Sequence, residues 1–149
     1  AKNIAEVNTT GLETDVQYRG QISERQKLIV NAGVVWLYSK SSEANPSFYI
    51  SSHARFLSNF NVQYEFGNAA LSFRGIYKSR RPQQAAGINA NVSKDYFLLN
   101  GRVSYNFVQQ RLAVFAQVDN IFDRSYSDLL GAVMPGRWVQ GGLSFRLSK

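Results

Sequence analysis

The chain has 149 residues and carries 17 Lys and Arg against 10 Asp and Glu, a net charge of +7. It has no cysteine and one histidine, which excludes a disulfide scaffold, a thiolate metal centre and a multi-histidine metal site. Hydrophobic residues make up 44%, yet no apolar run approaches the ~20 residues that a membrane helix needs, and Ala1-Lys2-Asn3-Ile4-Ala5-Glu6 lacks the apolar stretch of a signal peptide. The cations are scattered along the chain, and only Lys78, Arg80 and Arg81 cluster, so a nucleic-acid partner is not expected.

Alternation of apolar and polar residues runs through the chain in order. The first segment is weak, with Leu12, Val16 and Tyr18 against Glu13, Asp15, Gln17 and Arg19. In the second, Leu28, Val30, Ala32, Val34, Trp36 and Tyr38 share one face. His53 precedes the third strand as a polar loop-edge residue. Over 54–66, Phe56, Ser58, Phe60, Val62, Tyr64 and Phe66 oppose Arg55, Leu57, Asn59, Asn61, Gln63 and Glu65. At helical spacing these residues would mix around the axis, so the period predicts strand. The fourth segment sets Ala69, Leu71, Phe73, Gly75 and Tyr77 against Ser72, Arg74 and Lys78. In the fifth, Phe97, Leu99, Gly101, Val103, Tyr105 and Phe107 alternate with Asn100, Arg102, Ser104 and Asn106. Leu112, Val114, Ala116 and Val118 alternate with Gln117 and Asp119, and finally Val139, Leu143, Phe145 and Leu147 alternate with Gln140, Ser144 and Arg146.

The expectation is an all-β chain of about seven antiparallel strands, most longer than the ~5–6 residues of a mean globular strand and close to the ~9–11 of a tilted membrane strand. Short connections at 19–26, Gly67-Asn68 and 108–110 alternate with longer ones at 39–50, 81–93 and 123–135. Membrane barrels show this pattern, with short periplasmic turns and longer external loops. Tyr18, Trp36, Tyr38, Tyr64, Phe66, Tyr77, Phe97, Tyr105 and Phe107 lie near strand ends, where the headgroup zone favours aromatic rings. The reading is therefore a transmembrane β-barrel in contact with outer-membrane lipid, with a periplasmic C-terminus. Such barrels have an even strand number. Counting back from the last strand puts residue 1 outside, so seven strands imply others upstream and a C-terminal part of a longer chain. The alternative is a soluble lipocalin-like binder, with the apolar face inside.

Catalysis is not expected. His53 has no clear partner, and Asp119 and Asp123, four apart on a strand, share a face at roughly 13 Å, too far to share a proton.

Two motifs stand near the end. Gln140, Gly142, Phe145 and Leu147 resemble the terminal assembly signal of outer-membrane proteins, read by the barrel assembly machinery, although the chain ends in Ser-Lys instead of an aromatic residue. Upstream, Asp119-Asn120-Ile121-Phe122-Asp123 with Tyr126, then Pro135-Gly136-Arg137-Trp138, resembles the C-terminal signature of TonB-dependent outer-membrane receptors. Asn3-Ile4 with Gly11-Leu12-Glu13 is similar to a recurring barrel strand of that family. Physically, Asn120 and Asp123 can cap backbone groups where the ladder ends. Ile121 and Phe122 lie at the lipid edge or pack under the loop. Gly136 permits a positive φ, and Arg137 can pair with Asp123 or Asp128.

The resemblance implies the last third of a 22-stranded barrel spanning residues 1–149, with the plug domain and earlier strands absent from this sequence. It implies energy supplied by the TonB complex through the absent N-terminal part, and uptake of a small-molecule nutrient without a cofactor. Arg55, Asn61, Glu65, Arg74 and Arg102 would then face the plug. The segment from Tyr126 to Trp138 is most similar to the cobalamin receptors of Bacteroidetes. A siderophore-iron receptor is the alternative, and a surface lipoprotein is a further candidate partner.

Overall fold

A pleated strand sends successive side chains to opposite faces, so β-branched and aromatic residues at every second position favour extended backbone with one apolar side. The computed structural model describes residues 7–41, 54–80, 83–84, 91–107, 111–128 and 132–146. Its strands are β1 (Val7–Ser23), β2 (Gln26–Ser41), β3 (Phe56–Phe66), β4 (Ala69–Ser79), β5 (Gln83–Gln84), β6 (Asn91–Val92), β7 (Asp95–Phe107), β8 (Leu112–Asp119) and β9 (Trp138–Phe145). Seven of them form one antiparallel sheet in the order β1-β2-β3-β4-β7-β8-β9, while β5 and β6 pair only with each other. Among the described residues there is no helix, and β1 and β9 each have a single neighbour, so the sheet is open.

Some boundaries differ from those expected. The turn after β1 is only Glu24-Arg25, because the pairing continues past Arg19 to Gln21↔Lys27 and, after a register shift, to Ser23↔Gln26. The β5–β6 hairpin lies inside the 81–93 connection, where no alternation announces it. β8 and β9 are eight residues each, shorter than the other five main strands. His53, Arg81, Leu147 and the turn at 108–110 lie outside the described residues, as does Asn3-Ile4.

Register carries one apolar face across the whole sheet. Val30 pairs with both Tyr18 and Val62, Val62 with Phe73, Phe73 with Gly101, Gly101 with Val118, and Val118 with Val139. Within the seven strands that face holds two charged residues, Lys40 and Asp95, both at strand ends. The other face carries Glu13, Asp15, Arg19, Lys27, Glu65, Arg74, Lys78, Arg102 and Asp119. All nine aromatics singled out from the sequence fall on the apolar face. Trp36, Tyr38, Tyr77 and Phe97 gather toward the long-connection end. Tyr18, Tyr64, Phe66, Tyr105 and Phe107 lie toward the short-turn end. Ring contacts knit these bands, with centroids 6.1 Å apart for Phe56 and Tyr77 and 4.6 Å for Tyr105 and Phe107.

Among the described residues only Ile121 and Phe122, at the long-connection end, lie against this face. Val103, in the interior strand β7, stays 50% exposed, and among the described residues no large apolar side chain is fully buried. Among the described residues the buried large apolar ones are Val92 and Tyr96, with Arg80 and Asn120 as buried polar ones, and all four lie at the long-connection end. Among the described residues the sheet itself therefore has no protein core.

Glycines on the apolar face let rings lie flat across neighbouring strands. A Cβ at Gly75 would overlap the Phe60 ring, and one at Gly101 would come within 3.3 Å of the Phe73 ring. Gly75→Ala is expected to destabilise the folded protein by about 1–3 kcal/mol through this overpacking. Adding Phe60→Leu should recover part of that loss, because the two substitutions share one contact. Denaturant unfolding of the single and double variants measures the coupling, and strict additivity would mean that the ring does not depend on Gly75.

Candidate functional site

The polar face of β7, β8 and β9 is hydrogen-bonded laterally. Arg102 Nη1 donates to Gln117 Oε1 at 3.1 Å, and Gln117 Nε2 donates to both carboxylate oxygens of Asp119 at 3.0 Å. Gln140 Nε2 adds a bond to Asp119 Oδ2 at 3.2 Å. The Arg102 guanidinium also lies 3.7 Å from the centre of the Phe115 ring, an arrangement that favours the cation electrostatically. Phe115 in turn covers Gly142, where a Cβ would come within 2.6 Å of the ring. Around these side chains is a hollow of about 80 Å³ that Asn61, Ser72, Arg74 and Asn100 also line. It can offer hydrogen bonds and positive charge to a polar group. No group of three His, Asp or Glu side chains among the described residues converges as a metal site would.

The signature residues meet at the end of β8. Asn120 has φ 50° and Asp123 has φ 52°, the left-handed conformation that Asn and Asp tolerate because their short side chains bond locally. Asn120 is 5% exposed. Its Oδ1 accepts from Arg124 N–H at 2.9 Å, while its Nδ2 donates to Arg124 O at 2.9 Å and to Pro135 O at 3.4 Å. Its own N–H donates to Asn100 Oδ1 at 2.8 Å, and Asp123 N–H closes the turn on Asn120 O at 2.8 Å. Asp123 Oδ1 accepts from the Arg137 backbone N–H at 2.7 Å. The caps expected at Asn120 and Asp123 are thus present, and they tie the end of β8 to the approach to β9.

Three details depart from the sequence reading. Asp123 follows the Asn120–Phe122 turn and is not on β8, so the expected placement of Asp119 and Asp123 on one strand face does not arise. Gly136 has no positive φ; a Cβ there would instead meet Asp123 Oδ1 at 2.8 Å, so glycine leaves room for the cap. Arg137 engages Asp123 through its backbone, whereas Asp128 takes other partners. Phe122 lies on the apolar side, with its ring centroid 6.1 Å from that of Phe97, and Phe145 pairs with Leu112 on the same face.

The partners of Asp128 form a loop-end cluster that no spacing in the sequence indicates. Asp128 Oδ1 accepts from Lys78 Nζ at 2.8 Å, Arg80 Nη2 at 2.7 Å and Tyr96 Oη at 3.0 Å. Arg80, whose side chain is 1% exposed, also donates to Ser93 O at 2.8 Å and to the carbonyls of Ser127 and Asp128 at 3.3 Å. Ser93 and Ser127 exchange bonds of 2.9 Å, and the rings of Tyr96 and Tyr126 are 4.7 Å apart. Lys78 and Arg80, noted in the sequence as part of a cationic cluster, are thus engaged with an acid 48–50 residues away. The signature residues gather at one end of the sheet together with this cluster, while Gln140, Gly142 and Phe145 are spread along β9.

Compared with known proteins, the chain matches no protein-family model and no curated sequence.

Proposed function

We propose that this chain is the C-terminal part of the barrel wall of a TonB-dependent outer-membrane transporter, and that the transporter takes up a scarce nutrient, cobalamin. The observation that carries the membrane reading is the apolar face. It runs unbroken across seven strands, is charged only at strand ends, is edged by aromatics and, among the described residues, has protein over it only at Ile121 and Phe122. An exposed apolar surface of that extent is unfavourable in water but suits hydrocarbon. In a bilayer the unpaired edges of β1 and β9 must find partners, because lipid offers no hydrogen bonds. Further strands, to a total of 22 on the resemblance stated above, would supply them, and a plug would fill the lumen. The polar face would line that lumen.

The transporter assignment draws on the Asn120–Asp123 and Pro135–Arg137 signature, whose residues bond to one another across the last connection. Cobalamin draws on the similarity of the segment from Tyr126 to Trp138, and iron–siderophore is the alternative ligand. The reading assigns the chain no catalysis. It places the long connections outside and the C-terminus in the periplasm, with the TonB complex acting through the N-terminal part.

The test is the denatured intact mass of the protein purified from its native outer membrane, followed by equilibrium binding of radiolabelled cobalamin with ferric siderophore as competitor. The expected result is a mass several times 16.8 kDa and saturable cobalamin binding. A mass of 16.8 kDa, or absence from the outer membrane, would overturn the transporter reading. Displacement of cobalamin by the siderophore would move the assignment to iron.

A further inference from the structure

The hollow of about 80 Å³ on the polar face is rich in free donors and poor in free acceptors. Its acceptors are already used. Gln117 Oε1 receives Arg102 Nη1, and the Asp119 carboxylate receives Gln117 Nε2 at both oxygens and Gln140 Nε2 at Oδ2. Asn100 Oδ1 receives the Asn120 N–H, which leaves the Asn100 Nδ2 hydrogens to donate. Its cationic donors are not used up. A guanidinium has five N–H donors. Arg102 gives one to Gln117, and the other four have no hydrogen-bond partner among the described residues. Arg74 forms no hydrogen bond or ion pair with any described residue.

Register brings these two cations together. Arg102 pairs with Ser72 and Arg74 with Asn100, so the arginines are diagonal neighbours on β7 and β4. Long side chains reach across that spacing, and like charges on adjacent strands repel. Asp119, the acid that lines the hollow, meets Arg102 only through Gln117. Arg102 is also held in place before any ligand arrives. Gln117 bonds it on one side, and the Phe115 ring centre lies 3.7 Å from its guanidinium carbon. A side chain that is already ordered loses less entropy on binding.

We propose that this hollow is a binding site for one oxyanion group, a carboxylate or a phosphate, held between Arg74 and Arg102, with Asn61, Ser72 and Asn100 as further donors. A guanidinium presents paired N–H groups that match two oxygens of such a group. A neutral hydroxyl or amide would leave both charges uncompensated, and a cation would meet acceptors that are already taken. The size agrees. The hollow is roughly two to three times the ~30 Å³ share of one water, room for the charged group while the rest of the ligand extends over the polar face. Two carriers supply this chemistry: a small solute, or a carboxylate side chain from another part of the full-length protein. The site belongs to the polar face whatever surrounds the sheet, so it does not rest on the transporter reading.

The experiment is arginine modification by phenylglyoxal on the purified full-length protein, with each site read by peptide mass spectrometry. Inorganic phosphate is the probe, and sodium chloride at equal ionic strength controls for screening. Arg74 and Arg102 are exposed, as is Arg19 on the same face of β1, which serves as the reference. Phosphate at about ten times its Kd is expected to slow modification of Arg74 and Arg102 by about tenfold. Chloride should not do so, and Arg19 should keep its rate. Arg74→Gln should raise the phosphate concentration that protects Arg102 by about tenfold or more, and Arg102→Gln should do the same for Arg74.

A second arm separates the carriers. If both arginines resist the reagent without phosphate, the oxyanion comes from the polypeptide. Arg74→Lys treated with a carbodiimide, which joins an amine to a carboxylate in contact with it, should then crosslink to that carboxylate. Reactive arginines that phosphate does not protect, protection equal in chloride, or protection that survives both glutamine substitutions would each overturn the site. So would resistant arginines with no crosslink, or with one to Asp119 alone. Phosphate protection in the unmodified protein decides the matter if the variants do not assemble. A protein that binds cobalamin but shows neither protection nor crosslink loses the site alone. One that binds no nutrient yet shows phosphate protection loses the transport reading alone.

Discussion

Val62→Arg is expected to lower the unfolding free energy of the full-length protein in lipid vesicles by about 2–4 kcal/mol relative to Val62→Ala, the cost of a cation near the bilayer midplane. Val62 lies near the middle of β3 on the apolar face, flanked by Val30 and Phe73. Phe66, on the same face, ends β3 at the short-turn side. There Phe66→Arg relative to Phe66→Ala should cost only about 0–1 kcal/mol, because the side chain reaches the interface. Each alanine reference subtracts the lost side chain, so the comparison isolates the charge. Asn59→Arg, on the polar face with Asp15 nearby across Gly33, should be close to neutral. Depth dependence is the discriminating feature. A soluble barrel with this face turned inward would reject arginine at every buried level, so equal costs at Val62 and Phe66 would remove the lipid from the account.

The second large effect is expected at Asn120. Its side chain donates twice and accepts once inside a buried turn, and its backbone is left-handed. Asn120→Ala leaves the Arg124 amide and two carbonyls without that partner, at about 1–3 kcal/mol for the unsatisfied groups, and adds about 1–2 kcal/mol for alanine at positive φ. Asn120→Gly should avoid the backbone part and keep the hydrogen-bond part. Asn120→Asp keeps the acceptor for Arg124 N–H but turns a charged oxygen toward two carbonyls, so it should rescue little. Chemical denaturation of the three variants gives the partition. Alanine and glycine variants of equal stability would show that the left-handed backbone costs nothing there, and an asparagine-like aspartate variant would deny the role of the two donated bonds.

The outcomes at Val62 and Asn120 bear on different levels of the structure. Val62 belongs to a pattern repeated on seven strands, and its effect depends on the medium outside the sheet. Asn120 belongs to one turn, and its effect depends on contacts made within the chain. Loss of stability at Asn120 with no depth dependence at Val62 would support the closing turn while rejecting the membrane.

The sequence by itself determined the strand content and the division of each strand into two faces. With a side-chain period of two, any shift of register by one residue would turn Val62 or Phe73 onto the charged side, so one apolar pattern per strand suffices to align seven of them. It also determined the capping roles of Asn120 and Asp123, because short polar side chains where a ladder ends have few backbone groups within reach. Tertiary structure alone decided that Asp128 belongs to Lys78 and Arg80 instead of Arg137. That choice depends on how far the last connection travels across β7, a distance that no local spacing encodes. It likewise decided that Gly136 makes room for the Asp123 cap without a positive φ, since the reason for that glycine is an atom thirteen residues away in sequence. The β5–β6 hairpin, two residues on each side, is too short for any period to show.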